Sequence, residues 1–217
     1  MNLYLVPDNP ENTTFVSANG TAHFRVTTMS SPEGSVTYLQ RPSENLEDGL
    51  LAEIRTARGK KATIVASSLL EGAAYPNRDN ESQGFDASLF LHRKGRFDAS
   101  SRYFTGNDGA EYRWKYQKSL GWTLTQCSTG EEIAQQVRWF SEEGVFAGQE
   151  RSALRINPCS VDIELVVLSF VMAEKKRRPR IKSKADESKT LHAEDVPLDG
   201  AVEGAEAETG TEAYGEL

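Results

Sequence analysis

Of the eleven residues from Ile163 to Ala173, IELVVLSFVMA, nine are apolar; Glu174 follows, then four cations, Lys175, Lys176, Arg177 and Arg178. Acids at the start of this segment, Asp162 and Glu164, and bases at its end both suit a helix dipole. Ser160 is placed to cap such a helix and Pro179 to stop it. From 161 to 178 it would measure roughly 27 Å. A helix that crosses a membrane needs about 20 mainly apolar residues, and this run is shorter. Val161, Val166, Val167 and Val171 are β-branched, so a buried strand also fits. The third reading is a helix apolar on nearly every face, which protein must surround.

The segments before Ser160 read as short strands. TTFVSANGTAHFRVTT (13–28) sets Asn19-Gly20 between two alternating runs, which predicts a β-hairpin with a tight type I′ turn. Further strands are expected at SVTYLQR (35–41), LAEIRTA (51–57), ATIVAS (62–67), ASLFLHR (87–93) and GRFDASSRYFT (95–105). AEYRWKYQ (110–117), GWTLTQC (121–127), EIAQQVRWF (132–140) and SALRINP (152–158) complete the series. Turn residues recur at roughly 8–12-residue spacing, as in a sandwich or barrel. In a mainly β chain, the place that encloses one apolar helix is the inside of a barrel. The expectation is a closed antiparallel β-barrel threaded by its own C-terminal hydrophobic helix.

Charge is divided unevenly along the 217 residues. Residues 1–174 hold 17 Lys/Arg and 22 Asp/Glu; residues 175–184 hold seven cations and no acid; residues 185–217 hold one Lys and ten acids. The last block has a single aromatic residue and is rich in Ala, Gly and Glu. Such a composition buries too little apolar surface to offset the entropy of ordering. The expected division is a folded domain at 1–178 and a disordered, basic-then-acidic tail at 179–217. The N-terminal MNLYLVPDNP lacks the features of a secretory signal. Cys127 and Cys159 stand in no metal spacing and read as reduced thiols. An intracellular protein is expected, at the cytoplasm, an inner membrane surface or the nucleus.

The segment SSRYFTGNDGAEYRWK (100–115), together with LYLVPDNPENTTF, EEIAQQVRWF and the closing apolar helix with its basic end, resembles a family of uncharacterised proteins common in mushroom-forming fungi. That family looks like the tubby C-terminal, LURP-one and phospholipid scramblase group. The resemblance spans roughly residues 2–178 and implies a 12-stranded barrel around a central hydrophobic helix. It carries no catalytic residues. The Pro-rich and acylated Cys-rich regions of the scramblases have no counterpart here, so lipid scrambling is not implied. Within the middle segment, Gly106-Asn107-Asp108-Gly109 is turn chemistry. Tyr112, Trp114 and Tyr116 alternate with Arg113 and Lys115, as core residues of a strand or as an aromatic ligand platform.

Catalytic patterns are missing. His23, His92 and His192 fit no metal-ligand spacing, and the sequence has no nucleophile elbow, phosphate loop or dinucleotide fingerprint. The paired acids Glu131/Glu132 and Glu142/Glu143 read as solvated edges. No metal, cofactor or small-molecule substrate is expected. Cation clusters remain. Arg55, Arg58, Lys60 and Lys61 surround one predicted turn; Arg93, Lys94 and Arg96 surround another. Each could hold a phosphate headgroup. Lys175, Lys176, Arg177, Arg178, Arg180, Lys182 and Lys184 form a third cluster, suited to an anionic membrane, to nuclear import, or only to a helix end. The expected function is a non-catalytic binding module for anionic phospholipids such as phosphoinositides. The alternative is a protein-interaction scaffold or nuclear factor addressed by the basic C-terminal cluster. Nucleic acid is not an expected partner, and oligomeric state is not legible.

Overall fold

The computed structural model describes residues 1–43, 49–65, 69, 84–95 and 100–190, with residues 85 and 178–190 described for their backbone only. Twelve strands form one antiparallel sheet: β1 (Asn2–Val6), β2 (Thr13–Val16), β3 (Ala22–Ser31), β4 (Gly34–Gln40), β5 (Leu50–Ala57), β6 (Thr63–Val65), β7 (Phe85–Asp86), β8 (Ser101–Thr105), β9 (Glu111–Gln117), β10 (Gly121–Gln126), β11 (Glu132–Ser141) and β12 (Gln149–Ile156). One helical turn, α1 (Ala87–Phe90), follows β7, and the long helix α2 (Ile163–Thr190) follows β12. The strand order is β7-β6-β5-β4-β3-β2-β1-β12-β11-β10-β9-β8. First and last strands therefore pair in the middle, with Asn2 opposite Arg155, and two consecutive strands, β7 and β8, are the outer edges.

The sheet is not closed by hydrogen bonds, which corrects the expected closed barrel. No ladder joins β7 to β8 among the described residues. Their connection occupies the seam. Ala87 N–H bonds to Ala62 O at 2.8 Å, and His92 and Tyr103 exchange backbone bonds at 3.0 and 2.9 Å. A strand was expected over 87–93. The Asp86 side chain instead accepts from Ser88 N–H at 2.7 Å and caps a helical turn, which ends the strand.

Helix α2 lies inside the curve of this sheet. Leu165, Val166, Val167, Leu168 and Phe170 are fully buried, and Val171, Met172 and Ala173 nearly so. No polar stripe remains along this stretch. Its polar atoms are matched: Trp114 on β9 donates to Ser169 Oγ at 2.8 Å, and Phe170 packs on Phe15 of β2 and Trp114 of β9. Contacts from β2, β4, β9 and β10 reach one helix, so the sheet wraps it. Each of these apolar side chains gains about 1.5–3 kcal/mol from leaving water. The same inward faces of the strands, Leu3, Leu5, Phe15, Leu39, Phe104, Tyr112 and Leu124 among them, complete the core.

Two local expectations change. The hairpin at 13–28 forms, but Ser17 N–H bonds Thr21 O across a five-residue loop in place of a two-residue turn; Gly20, at φ +88°, supplies the left-handed position. The helix continues past Pro179 to Thr190, where a stop was expected, so the first part of the expected tail is helical. Residues 191–217 lie outside the described residues. The chain separates into compact units at Met1–Pro179 and Arg180–Leu217, and everything below concerns the first. Both cysteines are free thiols.

Candidate functional site

The most distinctive stretch of the sequence, 100–115, holds the entrance of α2 in place. Asp108, in the turn between β8 and β9, accepts at Oδ2 from Tyr112 Oη and from Ser160 Oγ, both at 2.5 Å, and at Oδ1 from Ala110 N–H at 3.0 Å. Asn107 Oδ1 accepts from Asp162 N–H at 2.9 Å. Ser160, expected to cap the helix, spends its hydroxyl on Asp108 instead. Burial resists ionisation of Asp108, but the Ser160 and Tyr112 hydroxyls outweigh it and hold the carboxyl below its ordinary value. Burial, and then the bond to Asp108, push Tyr112 up to about 12. A Cβ on Gly106 would stand 2.6 Å from Asp108 Oδ1 and 2.7 Å from the Tyr112 ring, so a larger residue there would have to displace these two side chains. Tyr112 and Trp114 are fully buried. They are core, not a ligand platform.

The cations gather mostly at the other end of the helix. Lys175 Nζ donates to Thr37 Oγ1 at 2.7 Å and Ser35 Oγ at 3.3 Å, both on β4. Lys176 Nζ donates to Leu91 O at 3.2 Å. Burial lowers both lysines, and for Lys176 the charges of Arg102 and Arg93 lower it further. Neither ammonium has a carboxylate within ion-pair distance among the described residues. Arg177 is different. It grips the buried Glu174 with two bonds, at 2.6 and 2.7 Å, and lies over the Tyr116 ring.

The register Ser35↔Thr56 and the bond from Arg58 N–H to Glu33 O bring the β3–β4 and β5–β6 turns side by side. Between them lies a cleft of about 520 Å³ lined by Ser31, Pro32, Ser35, Thr56, Arg58 and Lys60. Ser35 is also the partner of Lys175, so the cleft adjoins the helix end. Arg58 and Lys60 are exposed and have no carboxylate partner among the described residues. Arg55 is held by Glu53 on its own strand, and Lys61 pairs with Asp86 at 3.2 Å.

Two of the three cations of the second predicted cluster, Arg93 and Lys94, fall among the described residues. Lys94 pairs with Glu111 at the start of β9, near the opposite end, and lies over Tyr103. Arg93 is exposed, and Arg96 lies outside the described residues, as do the side chains of Arg178, Arg180, Lys182 and Lys184. A cleft of about 590 Å³ beside the helix entrance is lined by His23, Arg41, Cys159, Asp162 and Glu164 among others, none of them a predicted site residue; Arg41 and Glu164 pair across it at 2.5 Å. No helix among the described residues is long and apolar enough to cross a membrane.

Residues 8–179 match a family of unknown function, DUF6593. The chain belongs to this family. No curated protein and no solved structure matches it. The DUF6593 match takes in the Asp108 clamp, the β5–β6 turn and α2 as far as Pro179. It begins after β1, although β1 sits mid-sheet between β2 and β12.

Proposed function

We propose that this DUF6593 protein is a non-catalytic binding module of tubby-like design, a barrel whose seam is filled by α1, and that it takes phosphate-bearing lipid headgroups at the cleft between the β3–β4 and β5–β6 turns. One observation supports this above the others. Arg58 and Lys60 line an open cleft without counter-ions, and the half-buried ammonium of Lys175 stands behind Ser35 without one either. Uncompensated cations focused in a cleft raise the local concentration of anions, and phosphate oxygens match such donors. The resemblance to tubby-type domains points to the same ligand class by analogy only.

Flotation of the full chain with phosphatidylcholine vesicles, with and without phosphoinositide, tests the reading. Binding is expected only with the anionic lipid and should weaken with salt. The double substitution Arg58→Ala with Lys60→Ala should weaken it about 30-fold, at roughly 1 kcal/mol per cation near the surface. No flotation at low salt would end the proposal. The alternative of an import address at residues 175–184 gains less support, because Lys175, Lys176 and Arg177 are engaged by Thr37, Leu91 and Glu174.

A further inference from the structure

Three hydroxyls line the cleft between the β3–β4 and β5–β6 turns, those of Ser31, Ser35 and Thr56. Ser35 and Thr56 are half-buried, and Ser35 accepts from Lys175. Ser31 is exposed, within a run of five exposed residues from Met29 to Glu33. Its Oγ donates to Gly34 O at 3.3 Å, a long bond that holds it weakly. Pro32 follows it. Of the eight prolines in the chain, Pro32 alone comes directly after a serine or threonine. An exposed turn tip is where a modifying enzyme reaches a folded chain.

The turn that carries Ser31 is fixed against its neighbour. Arg58 N–H donates to Glu33 O at 2.8 Å, and a Cβ on Gly34 would stand 2.1 Å from Thr56 O, so the glycine lets the two backbones meet. Ser31 thus shares the cleft with Arg58 and Lys60, whose charges have no carboxylate partner among the described residues. Arg55 and Lys61 close by are paired with Glu53 and Asp86. Glu33, the acid of the turn, is exposed and does not line the cleft. We propose that Ser31 is a phosphorylation site, the target of a kinase directed to Ser-Pro sequences, and that the phosphate it carries docks on Arg58 and Lys60 in the same cleft. The Ser31 oxygen bonds to the γ-phosphorus of ATP, the bond from that phosphorus to the β-phosphate oxygen breaks, ADP leaves, and the hydroxyl proton passes to the base of the kinase. The product sets a charge of about −1.5 to −2 and three acceptor oxygens beside two uncompensated cations. Held there by the chain itself, it excludes a free phosphate ligand from the cleft. The modification and the docking do not rest on the lipid reading; the exclusion of a headgroup does.

The full chain incubated with ATP and a Ser-Pro-directed protein kinase tests the site, and phosphorus NMR tests the docking. Mass spectrometry should place phosphate on Ser31 of the folded chain, and Ser31→Ala should abolish the labelling. In a pH titration the second ionisation of that phosphate, ordinarily near about 6, should lie about half a unit or more lower than in the same phosphoprotein carrying Arg58→Ala and Lys60→Ala, because adjacent cations favour the dianion. The difference should shrink at about 1 M salt. A Ser31 left unmodified overturns the site, and a titration that the double substitution does not move overturns the docking. On phosphoinositide vesicles the phosphorylated chain should float about as poorly as the unmodified Arg58→Ala, Lys60→Ala variant. Undiminished flotation would overturn the exclusion. Failure of the unmodified chain to float would end the lipid reading instead, and the phosphorus titration would still decide the docking.

Discussion

Arg177→Ala separates a structural cation from a ligand-binding one. Glu174 is 2% exposed and accepts from Trp122 Nε1 at 2.8 Å and from the Arg177 guanidinium at 2.6 and 2.7 Å. The substitution removes two charge-assisted bonds and leaves a nearly sealed carboxylate without its guanidinium. Breaking a buried pair from one side costs about 3–5 kcal/mol, and losing the stack on Tyr116 adds about 0.5–1 kcal/mol. Against a total stability of about 5–15 kcal/mol this is a large loss. Trp122 still donates to it, but without the guanidinium burial disfavours the charged form of the Glu174 carboxyl in the folded state. The variant should therefore regain stability as pH falls toward the range where that carboxyl is protonated, and be weakest near neutrality. Urea denaturation of both proteins at about pH 5 and pH 8 measures this. Adding Glu174→Gln to Arg177→Ala should recover part of the loss, because no charge is then stranded. A cost below about 1 kcal/mol, equal at both pH values, would refute the reasoning.

Leu168 is fully buried inside the sheet, so Leu168→Ala should cost about 3–5 kcal/mol in the same denaturation experiment. Tyr112, raised to about 12 from an unfolded value of 10.0, contributes stability that is complete below pH 10 and lost as pH rises through 12; Tyr112→Phe should flatten the stability–pH curve over that window. Asp108 has the opposite sign: its depressed carboxyl contributes stability above the ordinary carboxylate range that is lost on acidification, and Asp108→Asn should flatten the acid limb of a thermal-melt series. Truncation after Pro158 should leave insoluble protein, because the inward-facing side chains of the sheet lose what covers them; a soluble 1–158 fragment with a sharp melt would contradict the enclosed helix.

Much of this fold was readable from the chain, and unevenly so. The enclosure of α2 followed from Leu165 to Ala173, where almost no polar residue allows an exposed face. Alternation at Tyr112/Trp114 and Trp122/Leu124 marked β9 and β10. The seam was not readable: α1 is four residues long, too short to show a helical period, and its strand-like sequence yields to the Asp86 cap. Whether a cation faces water or protein was equally hidden. Lys175 reaches Thr37, 138 positions earlier in the chain, and nothing local distinguishes it from a free lysine. The Asn107 and Asp108 side chains read as turn residues because their partners, Asp162 and Ser160, lie far along the chain. Of the candidate cations, sequence spacing placed Arg55, Arg58, Lys60 and Lys61 around one turn, but only the fold shows that Arg55 lies on β5 beside Glu53 and that Lys61 pairs with Asp86.

Native-state hydrogen exchange along α2 tests the central claim, that the sheet encloses this helix, most directly. If the helix is the centre of the core, the amides of Leu165 to Ala173 open only with the whole domain, and their exchange free energies equal the global unfolding value and match those of β9 and β12. Exchange of these amides at free energies well below the global value, while the strands stay protected, would mean that the helix leaves without unfolding the sheet, and would contradict the account.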